Sequence, residues 1–412
     1  MTKAESLACR ECGRRYGMTF RYACGECSGP LDVAYDISTV SRDAISARER
    51  TYWRYAELLP VMHRSNMVGM GAGMTPLLRA ERLGERLGLR NLYVKNDSVN
   101  PTYSFEDRPA GVAVSKAREL GIGTVGCAST GNLAAATAAH AAKAGMPCYA
   151  FVPKGLEGAK IVQAAAYGAR VMEVDGTYDD ASRAAAQAGD GRGIGMVNVN
   201  LRPYYAEGSK TLAFEVAEQL GWRAPDHLVM PVGSGAMLNA VCKGFEDLEA
   251  ASLVDDCAMH PHAAQPRGCS PVADAFRGNG GVVPVERPDT VAKSLAIGDP
   301  GDGRYALKRL EQYGGSAARC TDREILDATI LLAKTEGVFA EPAGGVAVAV
   351  LKKMAEDGTI PRDESVVCYV TGNGLKAADT LKPVLAPLMR HGGQTVRDGD
   401  GRAGPPCGQR FG

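Results

Sequence analysis

Short apolar segments and alanine-rich segments take turns over most of this chain, and this alternation constrains its fold more than any other feature. The apolar segments, which resemble strands buried on both faces of a sheet, are LYVK, TVGCAS, PCYAFVP, ARVMEV, HLVMPV and SVVCYVTG. The segments that predict helices are AGVAVSKAREL, LAAATAAHAAKAG, AKIVQAAAYG, YDDASRAAAQAG and TLAFEVAEQLG. This alternation predicts right-handed crossovers and an open α/β architecture that binds ligands at the carboxyl ends of its strands.

The composition is that of an ordinary globular protein. With 412 residues, 45% of them hydrophobic, the chain can bury a large core, and its length predicts two or three domains. Lysine plus arginine and aspartate plus glutamate both total 47, so no overall field attracts nucleic acid or an anionic membrane. We find no apolar run of about 18 residues and no secretion signal. A cytoplasmic protein with a small-molecule partner is expected.

Four of the twelve cysteines form two CxxC pairs near the N-terminus, separated by eleven residues: Cys9, Cys12, Cys24 and Cys27. Four thiolates in this arrangement suit tetrahedral zinc, and four sulfur ligands leave no open position for a substrate. Residues 1–40 are therefore predicted to form a zinc-ribbon-like module that holds a structural zinc ion. Residues 41–389 form the main body in this interpretation. The segment 390–412 is rich in Gly, Arg and Asp and is predicted to be disordered.

Three predicted strands end in loops of small residues. The strand TVGCA runs into Ser129 and Thr130 and then into an alanine-rich helix, which favours an anionic group, although both residues could serve only as helix caps. A second strand ends in the GSGAM loop at 233–237, where a phosphate can approach the backbone closely. A third ends at Thr371. Three such loops in one crevice are what a phosphate-bearing aromatic cofactor requires.

The order of the motifs LYVKND, NPTYSFEDR, CASTGN, PVGSGAML, EPAGG and TGNGLK resembles that of one enzyme family. The family is the threonine synthase and cysteate synthase branch of the fold-type II, tryptophan synthase β-like enzymes, which depend on pyridoxal phosphate (PLP). The resemblance covers roughly residues 5 to 385 and includes the zinc-ribbon-like N-terminus. It implies two open parallel-sheet α/β lobes, the smaller at about 105–205 and the larger formed by the remainder. Members are often dimers, so the resemblance allows a homodimer, although this sequence identifies no interface.

The resemblance also implies roles for single residues. Asn132 would hydrogen-bond the hydroxyl of the cofactor ring, and Thr371 would face the pyridine nitrogen. Ser129 and Thr130 would meet the carboxylate of an amino-acid substrate. The phosphate would be held by Gly233, Ser234, Gly235, Ala236 and Met237.

One segment departs from the family pattern. Where the family commonly reads NPTGSFKDR, this chain has Glu106 at the position of the lysine and Tyr103 at the position of the glycine. A carboxylate cannot form a Schiff base, so PLP is not expected as an internal aldimine at position 106. Tyr103 is expected to reshape the floor of the pocket. The remaining lysines nearest to the predicted site are Lys95 and Lys376, and relocation of the Schiff-base function to Lys95 is one alternative.

The role of Glu106 remains open at this point. Burial raises the pKa of a carboxyl group toward neutrality, so Glu106 could act as acid or base in elimination or replacement on a phosphorylated or otherwise activated amino acid. It could instead pair with Arg108 or Lys95 in a protein that binds a ligand or a partner without catalysis. A third interpretation is a different phosphate-bearing substrate without PLP.

Overall fold

The computed structural model describes residues 2–37, 40–278 and 280–386. The chain divides into two compact units, Met1–Ala377 and Ala378–Gly412. In the second unit the structure describes one helix, Ala378–Leu385, in which Leu381 is buried. The predicted disordered tail at 390–412 lies outside the described residues. No helix in the described part of the chain is long and apolar enough to span a membrane.

Strands and helices alternate through most of the first unit, as the sequence predicts. The strands are β1 Ala4–Cys9, β2 Arg15–Tyr16, β3 Leu31–Tyr35, β4 Leu77–Arg79, β5 Asn91–Asn96, β6 Val125–Ala128, β7 Cys148–Pro153, β8 Arg170–Val174, β9 Gly195–Met196, β10 His227–Pro231, β11 His260–Pro266, β12 Ser316–Cys320 and β13 Ser365–Val370. The helices are α1 Arg42–Ser46, α2 Glu81–Leu87, α3 Asp107–Glu119, α4 Asn132–Ala144, α5 Gly158–Ala166, α6 Tyr178–Arg192, α7 Arg202–Ser209, α8 Thr211–Gln219, α9 Ala236–Ala250, α10 Pro271–Gly278, α11 Gly303–Gln312, α12 Asp322–Glu336, α13 Pro342–Glu356 and α14 Ala378–Leu385.

The larger of two α/β sheets has six strands in the order β12-β11-β10-β13-β5-β4. All neighbouring strands in it are parallel except β4, which pairs antiparallel with β5. Every residue of the central strand β10 is buried. This matches the expectation for a strand covered on both faces, because helices of the crossover connections pack against the sheet.

The smaller sheet is parallel throughout, with four strands in the order β8-β7-β6-β9. Strand β6 is completely buried, as predicted. Strand β8 is not, because it lies at the edge of the sheet and pairs only with β7. Its residues are half-buried or exposed, and Met172 is 46% exposed. The segment ARVMEV therefore forms a strand, as predicted, but the prediction that this strand is buried is wrong.

The N-terminal residues form a separate three-stranded antiparallel sheet in the order β2-β1-β3. Cys9 is the last residue of β1, and the segments on either side of β2 carry Cys12, Cys24 and Cys27. Their sulfur atoms all lie within 4.8 Å of one another. This arrangement is compatible with the predicted zinc module.

Helices α3 and α7 pack closely beside the strand ends where the site is found. A Cβ atom on Gly208 would lie only 2.4 Å from the carbonyl oxygen of Arg108, so glycine permits this approach. Arg108, the second residue of α3, forms buried ion pairs with Asp97 at 2.6 Å and with Glu215 at 2.5 Å. These contacts fix the first turn of α3, and with it the position of the residue that precedes the helix.

Candidate functional site at the strand ends

Two adjoining cavities, of about 90 and 220 Å³, lie where the carboxyl ends of strands from both α/β sheets converge. Such a crevice is where an open α/β fold is expected to bind ligands. The residues that line both cavities are Glu106, Thr130, Tyr205, Ser234, Ala236, Ser294 and Ile297. We refer to the two cavities together as the cleft.

The loop after β10 lines the cleft with all five of its predicted residues, Gly233 to Met237. Gly235 has φ +90°, and a Cβ atom there would lie 3.0 Å from the carbonyl of Asp302. Both constraints disfavour a side chain at position 235, so the backbone of this residue forms part of the cleft wall. The loop leads into the N-terminus of α9, where backbone N–H groups attract an anion, although that of Ala236 already donates to the hydroxyl of Ser234 at 3.3 Å. The loop can therefore hold a phosphate group.

The loop after β6 contributes Thr130 and Asn132 to the same cleft. The hydroxyl of Ser129 accepts hydrogen bonds from the N–H groups of Gly131 at 2.8 Å and Ala134 at 2.9 Å. Ser129 thus lines the cleft but also stabilises the start of α4, which is the capping role that the sequence left open. Thr130 lines both cavities.

Asn132 is buried in the wall of the cleft and is only partly satisfied. Its Nδ2 donates to Oε1 of Glu341 at 2.8 Å. Its Oδ1 is buried and accepts no hydrogen bond from any described residue. A buried acceptor without a donor is costly, so a ligand that offers a hydroxyl or N–H group at this point would be stabilised.

The third predicted loop begins at Thr371, which lines the cleft and is 5% exposed. Its carbonyl accepts from the N–H of Phe105 at 2.9 Å, which ties the end of β13 to the segment that carries Glu106. Gly372 lies against Glu341, because a Cβ atom there would be 2.2 Å from its Oε1. The three loops predicted from the sequence therefore meet at one cleft.

Glu106 immediately precedes α3 and lines both cavities. The hydroxyl of Tyr205 donates to its Oε2 at 2.8 Å. No described residue donates a hydrogen bond to its Oε1. Burial raises the pKa of Glu106 to about 7, although the hydrogen bond from Tyr205 and the charge of Lys376 act in the opposite direction. Near neutral pH this carboxyl group can therefore both hold and release a proton.

No lysine is among the described residues that line the cleft. Lys95 lies elsewhere, in a buried cluster where its Nζ donates to Glu215 at 2.7 Å and to the carbonyl of Thr75 at 2.8 Å. The Nζ of Lys376 donates to the carbonyl of Thr102 at 2.7 Å, and burial lowers the pKa of this lysine to about 8. The amine of Lys95 is thus not brought together with the three loops.

Two other expectations about this segment differ from the structure. Arg108 and Lys95 both pair with Glu215, so neither is the partner of Glu106. Tyr103 is 51% exposed and lies outside the lining of the cleft, so it does not form the floor of the pocket. Its φ of +65° is a left-handed conformation that favours glycine.

Acidic side chains dominate the charge of the lining. The carboxylates that line the two cavities are Glu106, Glu341, Asp179, Asp299 and Asp302. The described cation in the lining is Arg202, and it forms an ion pair with Asp302.

Sequence reasoning missed Tyr205 and Arg202, because the segment NLRPYYAEG shows no strand–loop–helix pattern. The EPAGG motif includes Glu341, but the sequence assigned it no role of its own.

Comparisons with known proteins agree with this architecture. Residues 68–372 match the family model described as "Pyridoxal-phosphate dependent enzyme". The chain is 41% identical over 378 residues to threonine synthase of Methanocaldococcus jannaschii, covering 90% of this chain and 93% of that protein. It is 40% identical to threonine synthase of Methanosarcina acetivorans, covering 91% and 93%.

Solved structures show the same fold at lower identity. An L-serine ammonia-lyase from the fungus Rhizomucor miehei superimposes with a TM-score of 0.64 at 21% identity, covering 76% of this chain and 98% of that chain. A serine racemase from maize superimposes with a TM-score of 0.63 at 18% identity, covering 76% and 92%. With its α/β sheets, its cleft and these similarities, the chain belongs to the family of PLP-dependent enzymes and is similar within it to threonine synthases.

Proposed function

We propose that this chain is a divergent threonine synthase-like protein that binds PLP and an activated, phosphorylated amino acid in the cleft, with Glu106 as the acid–base group in place of the family's lysine. The observation that carries the proposal is the lining of the cleft. Glu106 lies in it with a raised pKa, whereas no described lysine does.

The non-covalent contacts expected for PLP fit this cleft. The loop from Gly233 to Met237 offers backbone N–H groups to a phosphate. The unpartnered Oδ1 of Asn132 fits the ring hydroxyl as its donor. Thr371 lies on the same wall, where a neutral hydroxyl would suit an unprotonated ring nitrogen. When bound, PLP supplies an electron sink that stabilises negative charge on the substrate.

The covalent anchor does not fit, because the cleft lacks a described lysine amine. What the chain offers instead is Glu106, held by Tyr205 through Oε2, with Oε1 open to the cleft. A positioned general base contributes about 10²–10⁴-fold to a rate. We infer that Oε1 takes up and returns the proton of the bound amino acid, and that Tyr205 orients the carboxyl group for this transfer.

A second candidate is a protein that binds the ligand without catalysis. The charge of the lining favours it, because a phosphorylated substrate calls for cations, and the described cation Arg202 is already paired with Asp302. This candidate predicts binding of PLP without turnover of any amino acid. It has the same binding cleft as the first candidate and differs only in that no reaction is catalysed there.

The deciding experiment measures PLP binding and phosphate release for the natural protein and for Glu106→Lys and Glu106→Gln. We expect the natural protein to bind PLP reversibly and to lose it on desalting. Glu106→Lys should retain PLP covalently after borohydride reduction, detected by mass spectrometry. Slow phosphate release from O-phosphohomoserine that Glu106→Gln abolishes would support the acid–base role. Binding without release in all forms would favour the non-catalytic candidate.

The four N-terminal cysteines are proposed to hold a structural zinc ion. Cys9 and Cys27 have sulfur atoms 3.4 Å apart, and those of Cys12 and Cys24 are 3.6 Å apart, which is compatible with four ligands around one ion. We expect one zinc per chain by elemental analysis. Cys12→Ser should lose the metal, whereas Ala in place of Cys148, in the four-stranded sheet, should retain it.

A further inference from the structure

We propose that the cleft holds its cofactor in the amine form, as pyridoxamine 5′-phosphate, with the primary ammonium of the ligand bound to Glu106. This inference rests on the cofactor-binding part of the proposed function and concerns the protein without an amino-acid substrate. In that state Glu106 pairs with the ammonium of the ligand and does not act as the acid–base group. The class of ligand is an aromatic phosphate ester that carries a primary amine.

The phosphate end of such a ligand has a defined place. The loop from Gly233 to Met237 and the N-terminus of the 15-residue helix α9 line the same cavity as Glu106. The amine and aldehyde forms of the cofactor share this phosphate. The loop therefore fixes the class of ligand but does not distinguish the two forms.

Glu106 makes the distinction. Its Oε2 accepts from Tyr205, while its Oε1 receives no hydrogen bond from a described residue, and the side chain lines the cleft. An ammonium group is a donor and a cation, so it forms a charge-assisted hydrogen bond with a carboxylate. An aldehyde has only an acceptor oxygen, which the carboxylate repels. In the absence of a lining lysine, the cleft offers the aldehyde nothing to react with.

A second observation, independent of Glu106, points to the same ligand. Asn132 is 6% exposed, and its Oδ1 lacks a donor among the described residues. Its Nδ2 is engaged by Glu341, which leaves the Oδ1 lone pairs for a ligand hydroxyl. The aromatic ring of the proposed ligand carries such a hydroxyl in addition to its ammonium group, whereas a simple phosphorylated amino acid has only its ammonium group to donate to both Asn132 and Glu106. The ring form of the ligand is therefore favoured over a free amino acid.

The charge of the lining supports an ammonium group as well. Apart from Glu106, the cleft presents Glu341, Asp179, Asp299 and Asp302 against one paired arginine, Arg202. Lys160 lies 3.6 Å from Glu341, and the charge of Lys376 acts on both Glu106 and Glu341, so these two lysines offset part of the negative charge from outside the lining. Both forms bring the same phosphate charge, but only the amine form places a positive charge near Glu106, so the acidic lining repels it less than it repels the aldehyde form.

Calorimetric titration at pH 8 tests the inference with pyridoxamine 5′-phosphate, PLP, O-phospho-L-serine and inorganic phosphate as probes. We expect the amine form to bind more tightly than the aldehyde form to the natural protein. Glu106→Gln should weaken the amine form about 10-fold to 100-fold and change the aldehyde form only a few-fold. Glu85→Gln, on the exposed face of α2, is the matched control and should change neither.

The outcomes separate this inference from the proposed function. If neither form of the cofactor binds, both fail. If PLP binds as tightly as the amine form, the inference alone fails, and this comparison on the natural protein needs no variant. Binding of O-phospho-L-serine or inorganic phosphate in preference to the amine form also overturns it. Circular dichroism of Glu106→Gln excludes misfolding as the cause of weakened binding.

Discussion

Replacing Glu106 by glutamine should make the protein more stable, and increasingly so as the pH rises. The pKa of Glu106 is about 7 in the folded protein, against an ordinary value of 4.5. The folded state therefore binds this proton more tightly than the unfolded state does. The stabilisation that the protonated group contributes is fully present below about pH 4.5 and is lost as the pH rises through about 7.

The magnitude follows from the difference between the two pKa values. One pKa unit corresponds to about 1.4 kcal/mol, so a rise of about 2.5 units costs the ionised protein about 3 kcal/mol at pH 8. At pH 5.5 the same relation gives only about 1 kcal/mol. Glutamine stays neutral at both values. Glu106→Gln should thus gain about 2 kcal/mol over the natural protein between pH 5.5 and pH 8.

Urea unfolding of the ligand-free protein measures this difference. The fluorescence of Trp53 and Trp222 reports on unfolding, and zinc is held at a constant concentration. Glu85→Gln serves as the control, because its exposed side chain should give the same difference from the natural protein at both pH values. If Glu106→Gln also gives a difference that does not change with pH, Glu106 is ionised throughout and the argument for a neutral-pH acid is refuted.

Three further predictions follow from single contacts. Tyr205→Phe removes the hydrogen bond that lowers the pKa of Glu106, so the pH window above should move up by about one unit in the same titration. Gly208→Ala should destabilise the protein by about 1–3 kcal/mol in urea unfolding, because its Cβ atom would meet the backbone of α3. Gly191→Ala in α6 is the control, because a Cβ atom there would meet nothing within 4 Å. It should raise the free energy of unfolding by up to about 1 kcal/mol. Asn132→Ala should weaken cofactor binding about 5-fold to 10-fold by calorimetry, and unchanged affinity would contradict its role.

The sequence alone was sufficient for the α/β architecture and for the three loops. Each of these loops is a local pattern, a strand followed by small residues and a helix, and local patterns are visible in a sequence. The burial of β8 was not predictable in the same way, because an apolar segment does not reveal whether a strand lies at the centre or the edge of a sheet.

Contacts between distant residues could not be predicted from local patterns. The hydrogen bond from Tyr205 to Glu106 joins positions 99 residues apart, and that from Asn132 to Glu341 joins positions 209 residues apart. The sequence around Tyr205 or Glu341 contains no pattern that indicates which distant residue each one will contact. The fold alone brings them together, which is why the sequence identified Glu106 but not the residue that holds it.

The surroundings of Glu106 hold its carboxyl group in a defined position. The backbone N–H of Thr102 donates to Oδ2 of Asp107 at 2.7 Å, and Arg108 is fixed by Asp97, so the segment is held on both sides of Glu106. The hydroxyl of Ser104 and Oδ1 of Asp107 remain without a hydrogen-bond partner among the described residues. A carboxylate left without a partner in such a place would cost several kcal/mol. Tyr205 supplies that partner with good geometry. Glu106 and the unpartnered Oδ1 of Asn132 line the same cavity, and in the proposal a single ligand that carries an ammonium group and a hydroxyl satisfies both.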